Sequence, residues 1–176
     1  MKQYPLFGAA TVIAALSLLV SSVQATTLEK ADFKSLVQDA VACVVAETES
    51  VSYEMRNGAP VTRTTFNVTK TAFGSTPTTL SVVTPGGKLS NAKISMAEVN
   101  AGVPRFFNGA SNVLLLDQAG GEYVITGYSQ GVFDAFSTPQ GVMVRLPESQ
   151  GGITPVDEAI AVINNARSTQ AQPIEE

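Results

Sequence analysis

The sequence predicts a mainly β fold: a small Greek-key barrel of five to six strands, with a short helix near each end of the mature chain. Three observations lead there. Apolar and β-branched runs recur along the chain and are separated by Gly, Pro and Asn turn signals. Helical spacing is confined to the two ends, which favours one closed sheet over alternating strands and helices. Closure also removes exposed edges, which matters for a Thr- and Val-rich chain carrying little charge.

The first helix is read from Thr26-Thr27-Leu28-Glu29, which has capping-box spacing, followed by Phe33, Leu36, Val37 and Ala40 at i, i+3, i+4 and i+7. Val41 to Ala46 is a short, nearly uninterrupted β-favouring run of the kind buried on both faces. After Tyr53, the Asn57-Gly58 pair accepts the positive φ angles of a tight hairpin turn, so a long strand from Val61 to Phe73 should follow. Its Phe66 and Val68 share one face, and Thr65, Asn67, Thr69 and Thr71 share the other. Thr78 to Thr84 is the next strand, halted by Pro85-Gly86-Gly87.

Lys88 to Pro104 is irregular, with a candidate strand at Ala92 to Met96. Val113 to Leu116 and Glu122 to Thr126 form a hairpin about a Gly-rich turn. Gly131 to Phe136 and Gln140 to Leu146 supply the last strands. Thr154-Pro155-Val156-Asp157 then places a cap, a proline at the first helical position and an acid in the first turn. Val156, Ala159, Ile160 and Ile163 continue that second helix, and Ser168 to Glu176 reads as a frayed polar tail.

Residues 1–25 place Lys2 ahead of an apolar run from Ala9 to Val20 and end on Val23-Gln24-Ala25. This reads as a secretory signal peptide cleaved after Ala25. The apolar core falls short of the roughly 20 residues of a membrane span, so no stable anchor is expected after cleavage. Residues 26–167 then form a single domain, a monomer that is secreted or periplasmic.

Losing Lys2 with the leader leaves 10 basic against 15 acidic residues, counted from totals of 11 and 15. That balance opposes nucleic-acid binding, which requires basic surface to release counterions. The chain has no histidine, which excludes Ser-His-Asp chemistry and histidine-ligated zinc or copper. Its single cysteine, Cys43, lies in an apolar run and reads as a buried core residue; the alternative is a nucleophile or an intermolecular disulfide. No cofactor and no metal are expected.

Certain residues carry a resemblance. Val44-Val45, Phe66-Asn67-Val68 with Gly74, Pro85-Gly86-Gly87, Gly102-Val103-Pro104-Arg105-Phe106-Phe107-Asn108-Gly109 and Gly127-Tyr128-Ser129-Gln130-Gly131-Val132-Phe133 follow one another in order. Over roughly residues 28 to 136 this resembles a group of secreted bacterial proteins of uncharacterised function. That pattern is in turn distantly similar to the netrin-type module of tissue inhibitors of metalloproteinases, which implies an OB-like barrel. The inhibitors' N-terminal cysteine has no counterpart, because cleavage after Ala25 leaves Thr26 first, and their disulfides are missing. The chain also departs from the nearer group at Ala110, where an acidic residue is usual, and at Leu116, where an aromatic is.

Within that pattern Pro104, Phe106, Gly109, Gly127, Gln130, Gly131 and Phe133 are expected to be structural. Phe106-Phe107 reads either as an aromatic ligand platform or as a core plug, and Pro104 and Gly109 favour the plug for Phe106. Gln130 is expected to satisfy backbone groups at a bend. Asp117 and Glu122 flank a turn and read as solvated charges, the alternatives being an acid–base pair or a weak calcium site. Pro85-Gly86-Gly87-Lys88 lacks P-loop spacing and reads as a turn.

The expected function is a non-enzymatic module that binds a protein or peptide partner. Its contact surface would be Pro85, Gly86, Gly87 and Lys88 with Arg105, Phe107 and Asn108, because OB-like folds bind at barrel-mouth loops. The resemblance implies an alternative, an inhibitor or companion of a secreted metalloprotease. A hydrolase using carboxylates alone is the third reading.

Overall fold

The computed structural model describes residues 29–90 and 95–169. The leader, the capping residues Thr26 and Thr27, positions 92 to 94 of the candidate strand and the tail beyond 169 lie outside the described residues.

The protein is mainly β, with ten strands among the described residues where five to six were expected. Helix α1 (Phe33–Asp39) starts at Asp32, whose carboxylate accepts from the Ser35 amide at 3.2 Å. Glu29 therefore precedes the helix instead of closing a capping box. Strands β1 (Ala42–Arg56) and β2 (Ala59–Phe73) form a hairpin about Asn57 and Gly58, whose φ angles of 52° and 81° suit the tight turn that Asn-Gly predicts. Next come β3 (Thr79–Pro85), β4 (Gly87–Ser90) and β5 (Ser95–Glu98). Strands β6 (Ser111–Ala119) and β7 (Glu122–Ile125) form the Gly-rich hairpin. Strands β8 (Val132–Thr138), β9 (Gly141–Arg145) and β10 (Ile153–Pro155) lead into α2 (Val156–Ser168).

Two readings near the C-terminus change. Thr154 is not a cap: it is a buried β10 residue paired with Val144, and Pro155 occupies the cap position with the helix beginning one residue later. The tertiary pairing with β9 overrides the local capping pattern. The helix also runs on through Ser168, where the tail was expected to start.

Eight strands make one sheet in the order β1-β2-β3-β7-β6-β8-β9-β10, and β4 and β5 pair separately. Strand β1 also pairs with β6, from Ala42↔Leu116 to Glu47↔Ser111, so β1, β2, β3, β7 and β6 are joined in a cycle. The β3–β7 link is parallel and the others are antiparallel.

The apolar run in β1 is buried on both faces, as the sequence predicts. Cys43 and Val45 join Val113 and Leu115 of β6 under the two helices, with Phe133, Val144 and Ile163 in the same cluster. Ala42, Val44 and Ala46 join Leu114, Leu116, Phe66, Leu80 and Val82 on the opposite face. Phe33 of α1 meets Phe133 with ring centroids 5.8 Å apart. Arg167, near the end of α2, donates to the Ala40 carbonyl at 2.8 Å and the Val37 carbonyl at 3.4 Å, and stacks over Phe73.

One irregularity in β1 positions the candidate site. The register passes from Thr48↔Phe66 to Ser50↔Thr65, leaving Glu49 as an extra residue. Such a bulge bends the strand and reverses which alternate side chains face inward. Beyond it Val51 and Tyr53 stand opposite Thr64 and Thr62, on the face that carries Phe66.

Candidate functional site

The part of β1 beyond the bulge, the β3–β4 turn and the segment leading into β6 enclose a groove of about 510 Å³. Its walls include all seven residues expected to form a contact surface: Pro85, Gly86, Gly87, Lys88, Arg105, Phe107 and Asn108. Each piece has a local cause. Pro85 ends β3, and Gly86 turns the chain with φ 85°, its amide donating to the Pro60 carbonyl at 2.9 Å while its carbonyl accepts from Thr62 Oγ1 at 2.8 Å. Gly87 lies flat against the Tyr53 ring: a Cβ there would stand 2.8 Å from Tyr53 Cδ1. The short β4–β5 hairpin can therefore pack on the inward face of β1 and β2 only with glycine at this position.

On the other side, Phe106 and Phe107 diverge. Phe106 is buried and meets Phe66 edge-on, with centroids 4.9 Å apart at 89°, so it forms the groove floor. Phe107 is 71% exposed at the rim. The chain then turns, Ala110 donating to the Phe107 carbonyl, and Gly109 and Ala110 exchange backbone bonds of 2.8 Å with Thr48. Pro104 is buried and shared with a second hollow of about 310 Å³, lined also by Thr84, Pro85, Ile125 and Tyr128.

The rim electrostatics are cationic. Among the described residues the ion pairs are Arg56–Glu122, Arg63–Glu54 and Lys70–Asp157, and neither Lys88 nor Arg105 belongs to one. The groove's carboxylate, Glu98, accepts from Asn100 Nδ2 at 3.0 Å.

Of the residues read as structural, Pro104 and Phe106 line the groove, whereas Gly127, Gln130, Gly131 and Phe133 are not among its walls. Gly127 and Gly131 bracket a 3₁₀ turn, and a Cβ on either would collide, 2.3 Å from Leu36 Cδ2 and 2.0 Å from the Thr126 carbonyl respectively. Gln130 does bond backbone, but far away in sequence: its Oε1 accepts from the Ala31 amide at 2.7 Å and its Nε2 donates to the Glu29 carbonyl at 2.9 Å. It ties down the segment preceding α1 rather than its own bend. Tyr128, half exposed, sits in this turn at φ 56°, a conformation unusual for an aromatic residue.

The carboxylates about the β6–β7 turn are not a pair. Asp117 stands opposite Val124 and accepts from the Gln118 amide, whereas Glu122 makes a forked contact with Arg56. That guanidinium holds the Glu122 carboxyl below the usual carboxylate range. Burial pushes the Cys43 thiol up to about 12, which leaves it protonated at neutral pH. Among the described residues no three His, Cys, Asp or Glu side chains gather where they would hold a metal ion.

Sequence reasoning missed Tyr53, Thr62, Glu98, Val99 and Asn100, which complete the groove. Tyr53 and Met55 alternate just before Asn57-Gly58 and carried a usable strand signal; Glu98 to Asn100 carried none. No family model, curated protein or solved structure matches the chain. What defines the molecule is a β-rich scaffold with an aromatic-rimmed, cationic groove.

Proposed function

We propose that the protein is an exported, non-enzymatic binding module with an OB-like barrel, which takes a segment of a protein partner into the groove between β1, the β3–β4 turn and Arg105–Asn108. One observation carries the reading: an apolar floor at Phe106 lies under a rim where Phe107 is 71% exposed and two cations are free of ion pairs among the described residues. Exposed aromatics and arginine beside an apolar pocket are the groups that dominate recognition of protein segments. The cycle of pairings through β1, β2, β3, β7 and β6, with β3 parallel to β7, supports the barrel. The leader-like residues 1–25 support export.

The test is selection of random displayed decapeptides on the chain from Thr26 to Glu176. Enriched peptides should bind Phe107→Ala and Arg105→Glu at least about tenfold more weakly than the parent. Failure to enrich any peptide, or equal binding to both variants, overturns the reading.

A further inference from the structure

Strand β1 has two edges, and they are used unequally. Along one edge β2 pairs with it from Cys43 to Arg56. Along the other, β6 pairs only from Ala42 to Glu47, and the last backbone bonds are those of Thr48 with Gly109 and Ala110. From Ser50 to Arg56 this second edge has no backbone partner among the described residues. The chain that would have continued the pairing, Arg105 to Asn108, swings away at the Phe107–Ala110 turn and forms the opposite wall of the groove.

An open run of strand edge is ordinarily blunted by proline, lysine, a bulge or a covering loop, since its amides and carbonyls are a template for another strand. Here the bulge at Glu49 comes before the open run and does not interrupt it. The run contains no proline or lysine, and Tyr53 and Met55 are 48% and 51% exposed. The edge is also beside the groove, because Val51 and Tyr53 line it together with Phe106 and Phe107.

We infer that the partner segment binds as an added β-strand, pairing its backbone with Ser50–Arg56 along the line that β6 leaves. The inference rests on the groove reading above and specifies the ligand chemistry. An extended segment presents alternate side chains to opposite faces. One set enters the groove over Phe106, so it is apolar; a carboxylate in that segment meets Lys88 and Arg105 at the rim. Backbone pairing supplies affinity and the alternating pockets supply selectivity, as in other strand-addition complexes. The Phe107 ring forms the outer wall that holds the added strand against the edge.

The probe is the tightest decapeptide from the selection, made free in solution with two copies N-methylated on opposite sets of alternate amides. Amide hydrogen exchange of the full chain should slow at least tenfold at alternate residues of 50–56 when the peptide binds. One N-methylated copy should bind at least tenfold more weakly, and the other within about twofold of the parent. A peptide lost on Phe107→Ala that leaves exchange at 50–56 unchanged overturns strand addition while the groove reading stands; so do two N-methylated copies of equal affinity. Protection of 50–56 without peptide that rises with protein concentration assigns the edge to a second copy and also overturns the inference. Binding indifferent to Phe107→Ala removes the groove reading itself.

Discussion

The two halves of β1 are one strand in opposite environments. Cys43 to Ala46 is buried on both faces and paired along both edges, with the Val44 and Cys43 side chains fully inaccessible. Ser50 to Arg56 is paired along one edge and carries half-exposed Tyr53 and Met55. A single extra residue, Glu49, separates them. An inserted residue can thus divide a strand into a part that holds the fold and a part whose second edge is open among the described residues, with no loop between them.

The sharpest way to break this contrast is chemical labelling of Cys43. A buried, protonated thiol in the closed half should react with a thiol reagent only through global unfolding, so labelling at pH 8 should be slowed roughly a thousandfold or more relative to denatured chain. Rapid labelling of the native protein would place the closed half among the mobile parts. Next, Phe66→Ala removes a ring packed against Phe106 and should cost about 3–5 kcal/mol in chemical denaturation. Met55→Ala, in the open half, should stay within about 0.5 kcal/mol. Similar losses for both would erase the distinction.

A smaller effect is expected at Gln130. Replacing it with alanine deletes two bonds to the segment before α1, costing about 1 kcal/mol and raising exchange at the Ala31 amide without disturbing β1. The smallest effect concerns the Arg56–Glu122 pair at the tip of the open half. Glu122 titrates below its ordinary value in the fold, so its contribution is present above the unfolded-state value of about 4.3 and is lost as pH falls through the lowered folded value. The thermal midpoints of wild type and Glu122→Gln should differ slightly at pH 6 and converge at the acid end; a gap that widens with acid refutes the pairing.

The same bulge explains what was legible in the sequence. Val41 to Ala46 announces itself because continuous apolar residues need no knowledge of partners. The continuation to Arg56 was missed because Glu49 breaks the period of two: Thr48 faces inward, and so do Val51 and Tyr53. Strands β4, β5 and β10, of four, four and three residues, are too short to carry a pattern and exist through their pairings. For the groove, proline and glycine marked both turns, so Pro85 to Lys88 and Arg105 to Asn108 were nameable beforehand. That they share one cavity is tertiary information, since 17 or more positions separate the two segments.

Arg167 has a consequence for how the chain acquires its structure in time. Its guanidinium closes the open carbonyl end of α1 from 127 positions downstream, so the first helix is completed by nearly the last residue described. Contacts of that span cannot form until residue 167 is available, and they make closure slow. In a chain emerging from its amino end, the end of α1 thus waits on α2. Truncation just before Arg167 should leave the carbonyl end of α1 open and that helix protease-sensitive, rather than giving a slightly shorter native protein.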